Sequence, residues 1–309
     1  MEMRSMRDAL GEVLVELAEK DERIIALTAN LGESTGLKAF REKFPDRFFD
    51  IGVSEQNLVT VASGLAAVGK IPFITSYAAF SPGRNWEQIK TAIALNNVPV
   101  KIIGNHAGLS AAVYGATHMG MEDIALMRSL PNCQVFSPCD AVELKKLIRA
   151  VAFDGKPVYI RLPRGETPTI TNKDTPFGVG KIHVLREDSD PQVTVFGTGP
   201  ILAEALLVET PVVVGNVHTI KPLDEQTVLH YAKLTGAVVT VEEHQLAGGL
   251  GGAVAEVLAQ NYPTPMEMVG VKDAFGESGT YQELLDKHGL NKEEISRAVV
   301  KVLARKHGA

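Results

Sequence analysis

Short runs of β-branched and aromatic residues recur along this chain with helix-length segments between them. That alternation constrains the fold more than any other feature. In the first half the runs are "RIIAL", "RFFDIG", "IPFITS", "VPVKIIG", "CQVFSP" and "PVYIRLP", with helical patterns between them, notably over 55–68, 84–97 and 140–153. Near-continuous apolar strands separated by helices indicate a parallel sheet covered on both faces. The pattern breaks at "PRGETPTITNKDTPFGVGKI", 163–182, which holds three prolines and no sustained period and reads as a linker. It resumes with "QVTVFGTG", "TPVVVGNVHTI", "AVVTVEEH" and "MEMVGVKD", and two helical segments close the chain. The expectation is an α/β protein of two three-layer domains, 1–170 and 188–309, joined by a linker over 171–187.

Charge and composition remove several function classes. The formal net charge is −6 with no basic run, which argues against a nucleic-acid or anionic-membrane partner. The first twenty residues read as an amphipathic helix rather than a signal peptide, and no apolar run approaches the roughly 18 residues of a membrane span. A cytoplasmic location is expected. The two cysteines, Cys133 and Cys139, form neither a disulfide framework nor a zinc site and read as reduced, structural thiols.

Glycine-rich turns carry little. "FGTGP" at 196–200 follows a strand, but Pro200 and Leu202 do not complete a dinucleotide fingerprint. "GGLGG" at 248–252 precedes a helix, so its backbone N–H groups could hold an anion, although tight packing of the helix start is the commoner use. The first half is more informative. Glu55 follows a strand and opens a small-residue helix, a placement that suits either a helix-starting acid or a proton-handling group. Tyr77 and Phe80 follow, and the glycine-rich loop 104–123 offers His106 and His118. Arg161 and Arg164, in "IRLPRG", could clamp an anionic group.

Taken together, "DIGVSEQN", "GLAAVGKIPF", "SYAAF", "GRNWEQI", "NHAGLS", "YGATHMGMEDIALMRSLPNCQVFSPCDAVEL" and "PVYIRLPRG" occur in the order found in the pyrimidine-binding domain of transketolases, which this region resembles. The continuation "TVFGTG" to "VEEHQLAGGLGGAV" resembles their C-terminal domain, so the likeness covers nearly the whole chain. It is greatest to the C-terminal subunits of split transketolases, whose enzyme is encoded as two polypeptides.

The resemblance implies a thiamine diphosphate enzyme that transfers a two-carbon glycolaldehyde unit from a ketose phosphate to an aldose phosphate. Glu55 matches the glutamate that hydrogen-bonds N1′ of the cofactor's aminopyrimidine ring, and the cofactor supplies the electron sink. Tyr77 and Phe80 match aromatics that stack on that ring, while a further family aromatic falls on Gly83 and leaves the pocket more open or otherwise filled there. Asn30 stands where longer transketolases carry an aspartate near the cofactor. His118 matches a histidine that contacts sugar hydroxyls and acts in catalysis. His106, Arg7, Ser34 and Arg164 match the contacts to the terminal phosphate.

Two departures matter. The family loop usually reads D-G-[PA]-[ST]-H, but "YGATH" here puts Tyr114 at the aspartate that contacts a donor hydroxyl. A modified donor such as apulose 4-phosphate or 6-deoxy-6-sulfofructose is then expected, unless a neighbouring group compensates. The other departure is that no G-D-G motif, nor any Gly-Asp dipeptide, occurs. Diphosphate is held in such enzymes through Mg²⁺ or Ca²⁺, which needs oxygen ligands, so a partner subunit must bring that half of the site. The expected assembly is a heterotetramer with two copies of this chain at its core. The second domain is expected to serve dimer packing, with no catalytic constellation. Two other readings are the beta subunit of a 2-oxo acid dehydrogenase, disfavoured by the "ATH" histidine and the phosphate set, and a non-catalytic assembly subunit, disfavoured by Glu55 and His118.

Overall fold

The computed structural model describes residues 1–308. The first half runs β1 (Met3–Ser5), α1 (Met6–Lys20), β2 (Ile24–Thr28), α2 (Lys38–Lys43), β3 (Phe48–Asp50), α3 (Glu55–Ala67), β4 (Ile71–Tyr77), α4 (Trp86–Gln88), β5 (Lys101–Asn105), α5 (Asp123–Arg128), β6 (Gln134–Phe136), α6 (Ala141–Val151), β7 (Val158–Arg161) and β8 (Glu166–Pro168). The second half runs β9 (His183–Glu187), β10 (Val193–Gly197), α7 (Leu202–Ala205), β11 (Val212–Asn216), β12 (Thr219–Lys221), α8 (Glu225–Thr235), β13 (Val238–Gln245), α9 (Leu250–Asn261), β14 (Met266–Val271), α10 (Tyr281–Lys287) and α11 (Lys292–His307). Among the described residues no helix is long and apolar enough to cross a membrane.

The larger sheet has strand order β12-β6-β7-β5-β4-β2-β3 and is parallel except at β12. Both faces are covered, which is why its strands are apolar at successive positions rather than at alternate ones. In β2, Ile24 and Ala26 pack with Leu10, Leu14 of α1 and Leu144, Leu147 of α6, whereas Ile25 and Leu27 pack with Leu58, Val59 and Ala62 of α3. The helix expected over 84–97 forms as α4 followed by a π-helical stretch, Ile89–Ala94, which puts Ile89 and Ile93 into that second layer. Asp140 starts α6, accepting the N–H groups of Val142 and Glu143 on Oδ1.

The smaller sheet has order β14-β13-β10-β11-β9, parallel except for β9 at its edge. Its two faces are again both buried. Val195, Val239 and Val241 lie with α7 and α11, and Phe196 and Val238 lie with α8 and α9. The observed architecture is therefore two α/β units with mostly parallel sheets.

Three details differ from the pattern in the sequence. Residues 3–5 are a strand rather than the start of the first helix, because β1 pairs antiparallel with β8 inside the proline-rich stretch. "TPVVVGNVHTI" is two strands, β11 in one sheet and β12 in the other, so the halves are stitched by main-chain pairing between β12 and β6. Strand β9 occupies the last five residues of the stretch 171–187.

Candidate active site

Ligand sites in such sheets form beyond the carboxyl ends of parallel strands, and most of the sequence-derived candidates gather there. Tyr77 ends β4 in register with Asn105, the last residue of β5, which places His106 beside it. The Tyr77 and His106 rings stack with centroids 3.9 Å apart, and Phe80 stacks on Tyr77 at 6.0 Å. His118 meets Phe80 edge-on at 5.3 Å and stacks on Tyr114 at 5.6 Å. The Arg164 guanidinium lies 5.0 Å from the Tyr114 ring centroid. One aromatic wall thus joins Tyr77, Phe80, His106, Tyr114 and His118, with Arg164 at its far end.

Glu55 is the first residue of α3 and is buried, at 8% exposure. Its carboxylate does not point into solvent as a simple helix-starting acid would. Oε1 accepts the Ser76 hydroxyl of β4 at 3.3 Å, and the Glu55 carbonyl accepts the side-chain amide of Asn85 at 3.0 Å. Ser76 and Asn85 are both buried and were not singled out in the sequence; their signal lies only in the fold that brings residues 55, 76 and 85 together. Gly83 is explained by space. A Cβ there would lie 2.1 Å from the Ala79 carbonyl oxygen, so this backbone admits no aromatic at that position.

Asn30 adopts a left-handed conformation, φ 61°, which asparagine tolerates better than most residues. Its N–H donates to Asp50 Oδ1 at 2.8 Å. An aspartate carboxylate therefore stands beside Asn30 after all, contributed by the "DIGVSEQN" segment. Arg7, in the first turn of α1, donates from Nη1 to the Ser34 carbonyl at 2.7 Å, and the Ser34 hydroxyl donates to the Leu31 carbonyl. The Arg7 Nε–H is buried and has no partner among the described residues.

His106 is 1% exposed and its Nδ1 has no partner among the described residues. Burial foremost, then the nearby Arg7, Arg164 and His118, push its pKa down to about 3. His106, Arg7, Arg164 and His118 therefore share one field, and an anion placed among them would relieve it. Ser34 belongs to the same corner through Arg7.

Arg161 is a correction. It does not clamp a ligand: its Nε donates to both oxygens of Asp123, at 3.0 and 3.2 Å, and Nη2 donates to the Glu243 carbonyl at 2.6 Å. Tyr159 completes this buried group by donating its hydroxyl to Asp123 Oδ2 at 2.7 Å. The N–H groups of the glycine loop 248–252 are taken by the chain's own Glu242 carboxyl group, which accepts Leu250 N–H at 2.6 Å and Gly251 N–H at 2.8 Å. A Cβ on Gly249 would sit 1.9 Å from Glu242 Oε2, so the close approach explains the glycine.

The two cysteines are free and buried, and burial pushes the Cys133 thiol up to about 12, as befits an inert core residue. Among the described residues no group of three His, Cys, Asp or Glu side chains is placed to hold a metal ion.

A buried carboxylate at a helix start, an aromatic wall and a cationic corner gather at the strand ends of an α/β module of the cofactor-binding kind. The family profile described as "Transketolase, pyrimidine binding domain" matches residues 2–169, and "Transketolase, C-terminal domain" matches residues 180–295. The 6-deoxy-6-sulfo-D-fructose transketolase subunit SqwH of Clostridium sp. (strain MSTE9) is 42% identical over 314 residues, covering 99% of this chain and 97% of that protein. An apulose-4-phosphate transketolase subunit of Phocaeicola vulgatus is 33% identical over 311 residues, covering 98% of this chain and 99% of that protein. A solved split-gene transketolase, an inactive β4 tetramer, superposes with a TM-score of 0.90 at 44% identity, covering 98% of this chain and 99% of that one. The chain belongs to the transketolase family, as the C-terminal subunit of a split enzyme. Thiamine diphosphate is the cofactor that its pyrimidine-binding domain implies, and an N-terminal subunit is the partner that the split form implies.

Proposed function

We propose that this chain, joined to an N-terminal partner, moves a two-carbon unit from a ketose with an anionic tail to an aldose acceptor. The observation that carries the tail is a corner in which the Arg164 guanidinium lies 5.0 Å from the Tyr114 ring, that ring lies 6.1 Å from His106, and the buried Arg7 Nε and His106 Nδ1 have no partner among the described residues. Arg7, Ser34, His106 and Arg164 would take the terminal anion. His118, half-buried beside Phe80 and Tyr114, would meet the sugar hydroxyls and act in proton transfer there. Glu55 would hold a proton against N1′ of the aminopyrimidine, with Tyr77 and Phe80 along the ring and Asn30 nearby. The cofactor, when bound, supplies the nucleophilic carbon and the electron sink.

The residues present suit the pyrimidine end and not the diphosphate end. A buried carboxylate beside aromatics fits an aminopyrimidine, but among the described residues no three His, Cys, Asp or Glu side chains are grouped as a divalent cation would favour. The partner would therefore bring Mg²⁺ or Ca²⁺ and the diphosphate contacts, in a heterotetramer with two active sites.

A sharper reading concerns the donor. The Tyr114 ring lies between His118 and Arg164, where the family's aspartate would otherwise face a hydroxyl. That position is uncharged and bulky, which suits a donor modified near its tail. The likeness to a 6-deoxy-6-sulfo-D-fructose transketolase subunit supports a sulfonated ketose. Co-expression with the partner, then assay with 6-deoxy-6-sulfofructose, apulose 4-phosphate and xylulose 5-phosphate, tests both readings. Highest kcat/KM for the sulfonate supports the sharper one, highest for xylulose 5-phosphate defeats it, and no transfer from any donor defeats the function proposed.

A further inference from the structure

The loop that carries Tyr114 and His118 is held from the second domain. Residues Gly108–Tyr114 form tight 3₁₀ turns after His106. Leu109, Ala111 and Ala112 from this loop, with Met119 and Met121, are buried in the second domain's core beside Val239, Val241 and Leu284. Glu243, near the carboxyl end of β13, reaches into the same loop. Its Oε1 accepts the Ser110 N–H at 3.1 Å, and its Oε2 accepts the Tyr281 hydroxyl of α10 at 2.6 Å.

Ser110 passes that anchorage onward. Its hydroxyl donates to the Ala107 carbonyl at 2.6 Å and accepts the Arg164 N–H at 3.0 Å. Ala107 directly follows His106, so one buried serine ties the backbone beside His106 to that of Arg164. The approach of the carboxylate is close. Gly108 has φ 65°, and a Cβ there would lie 2.4 Å from Glu243 Oε1. Further along, Ala112 is also held at positive φ, 47°, a conformation that a non-glycine residue keeps only under restraint.

We propose that Glu243 is a positioning residue for the donor's tail, setting the placement of His106 and Arg164 through Ser110. This rests on the anionic-tail reading above. A buried carboxylate that merely joined two domains would need no such route. The bonds from Glu243 end on the segments of two tail-binding groups, and the loop it pins carries a third group of the aromatic wall, Tyr114. The second domain then shapes the substrate site in addition to any role in assembly.

The test uses the complete two-subunit enzyme and two donors, xylulose 5-phosphate and hydroxypyruvate, the second lacking a phosphorylated tail. Glu243→Ala and Ser110→Ala should raise KM for xylulose 5-phosphate about tenfold while kcat, and both constants for hydroxypyruvate, stay within about twofold. Glu243→Gln keeps an acceptor for the Ser110 N–H and should remain near the unmodified enzyme. If Glu243→Ala does not fold, Ser110→Ala and Glu243→Gln carry the test. Equal effects on both donors, a loss confined to kcat, or an unchanged KM would overturn the positioning role. Arg164→Ala separates the two claims. If it raises KM for xylulose 5-phosphate selectively while Ser110→Ala does not, positioning alone fails. If it has no selective effect, the anionic-tail reading fails and the positioning role with it.

Discussion

Glu55 opens a helix, where the macrodipole favours an acid whatever its purpose. The structure buries the carboxylate against Ser76, which a helix-starting acid does not require. Glu55→Gln in the assembled enzyme is expected to lower kcat by about a hundredfold or more, the range of general acid–base groups, while circular dichroism is unchanged. A helix-starting role alone would leave kcat intact and cost only about 1 kcal/mol of stability. Tyr114→Asp should move the donor preference, read as a ratio of kcat/KM values, toward xylulose 5-phosphate, and an unmoved ratio would remove Tyr114 from specificity. A third residue makes a pH prediction. Glu143 is buried between the Cys139 N–H and the Asn216 amide, and burial raises its pKa to about 7. The folded protein therefore keeps a proton that the unfolded chain has lost. This contribution to stability is complete below the ordinary carboxylate value and is lost as pH rises through about 7. The stability difference between Glu143→Gln and the unmodified chain, from urea titrations, should thus shift in the variant's favour between about pH 5 and about pH 8. A constant difference would contradict it. Histidines, aromatics and Glu55 were visible in the sequence because their residue types already carry chemistry. Glu243 and Ser110 were not, since 133 residues separate them and only the fold makes them neighbours.

At the scale of elements, the sequence told most where a segment is long and buried on one stripe or on both faces. Helices α1, α3 and α6 and strands β2, β4, β5 and β10 follow from apolar periodicity, because burial and period coincide there. Strands β1, β8 and β12 have three residues each and pair antiparallel at edges, so no period could announce them. Asp140 shows how one residue joins scales. Besides starting α6, its Oδ2 accepts Ile170 N–H at 2.9 Å and Thr171 N–H at 2.6 Å, fixing the proline-rich stretch onto the helix. Asp140→Ala should therefore cost on the order of 3 kcal/mol by urea titration, above the roughly 1 kcal/mol of a lost cap alone. A cost no greater than that of a cap would mean that the connection to 170–171 contributes nothing. In the core, Leu147→Ala, at the fully buried interface of α6 with α1, should cost about 2–5 kcal/mol by the same titration.

At the scale of the whole molecule, two domains share an extensive seam. Strand β12 adds to the first sheet, the buried Asp123–Arg161 pair bonds to the Glu243 carbonyl, and Asn216 of the second domain bonds to Glu143 of the first. The sequence divided the chain into two such units but gave no sign of how they interlock, because every seam contact is long-range. The pyrimidine side groups a carboxylate, an aromatic wall and a cationic corner, and among the described residues no three His, Cys, Asp or Glu side chains stand together for a metal ion. Calorimetric titration of thiamine diphosphate with Mg²⁺ distinguishes a chain that holds half of the site from one that holds all of it. Binding is expected to be weak or undetectable for the isolated chain and tight for the complex with its N-terminal partner. Tight binding to the isolated chain, comparable with that of the complex, would contradict it.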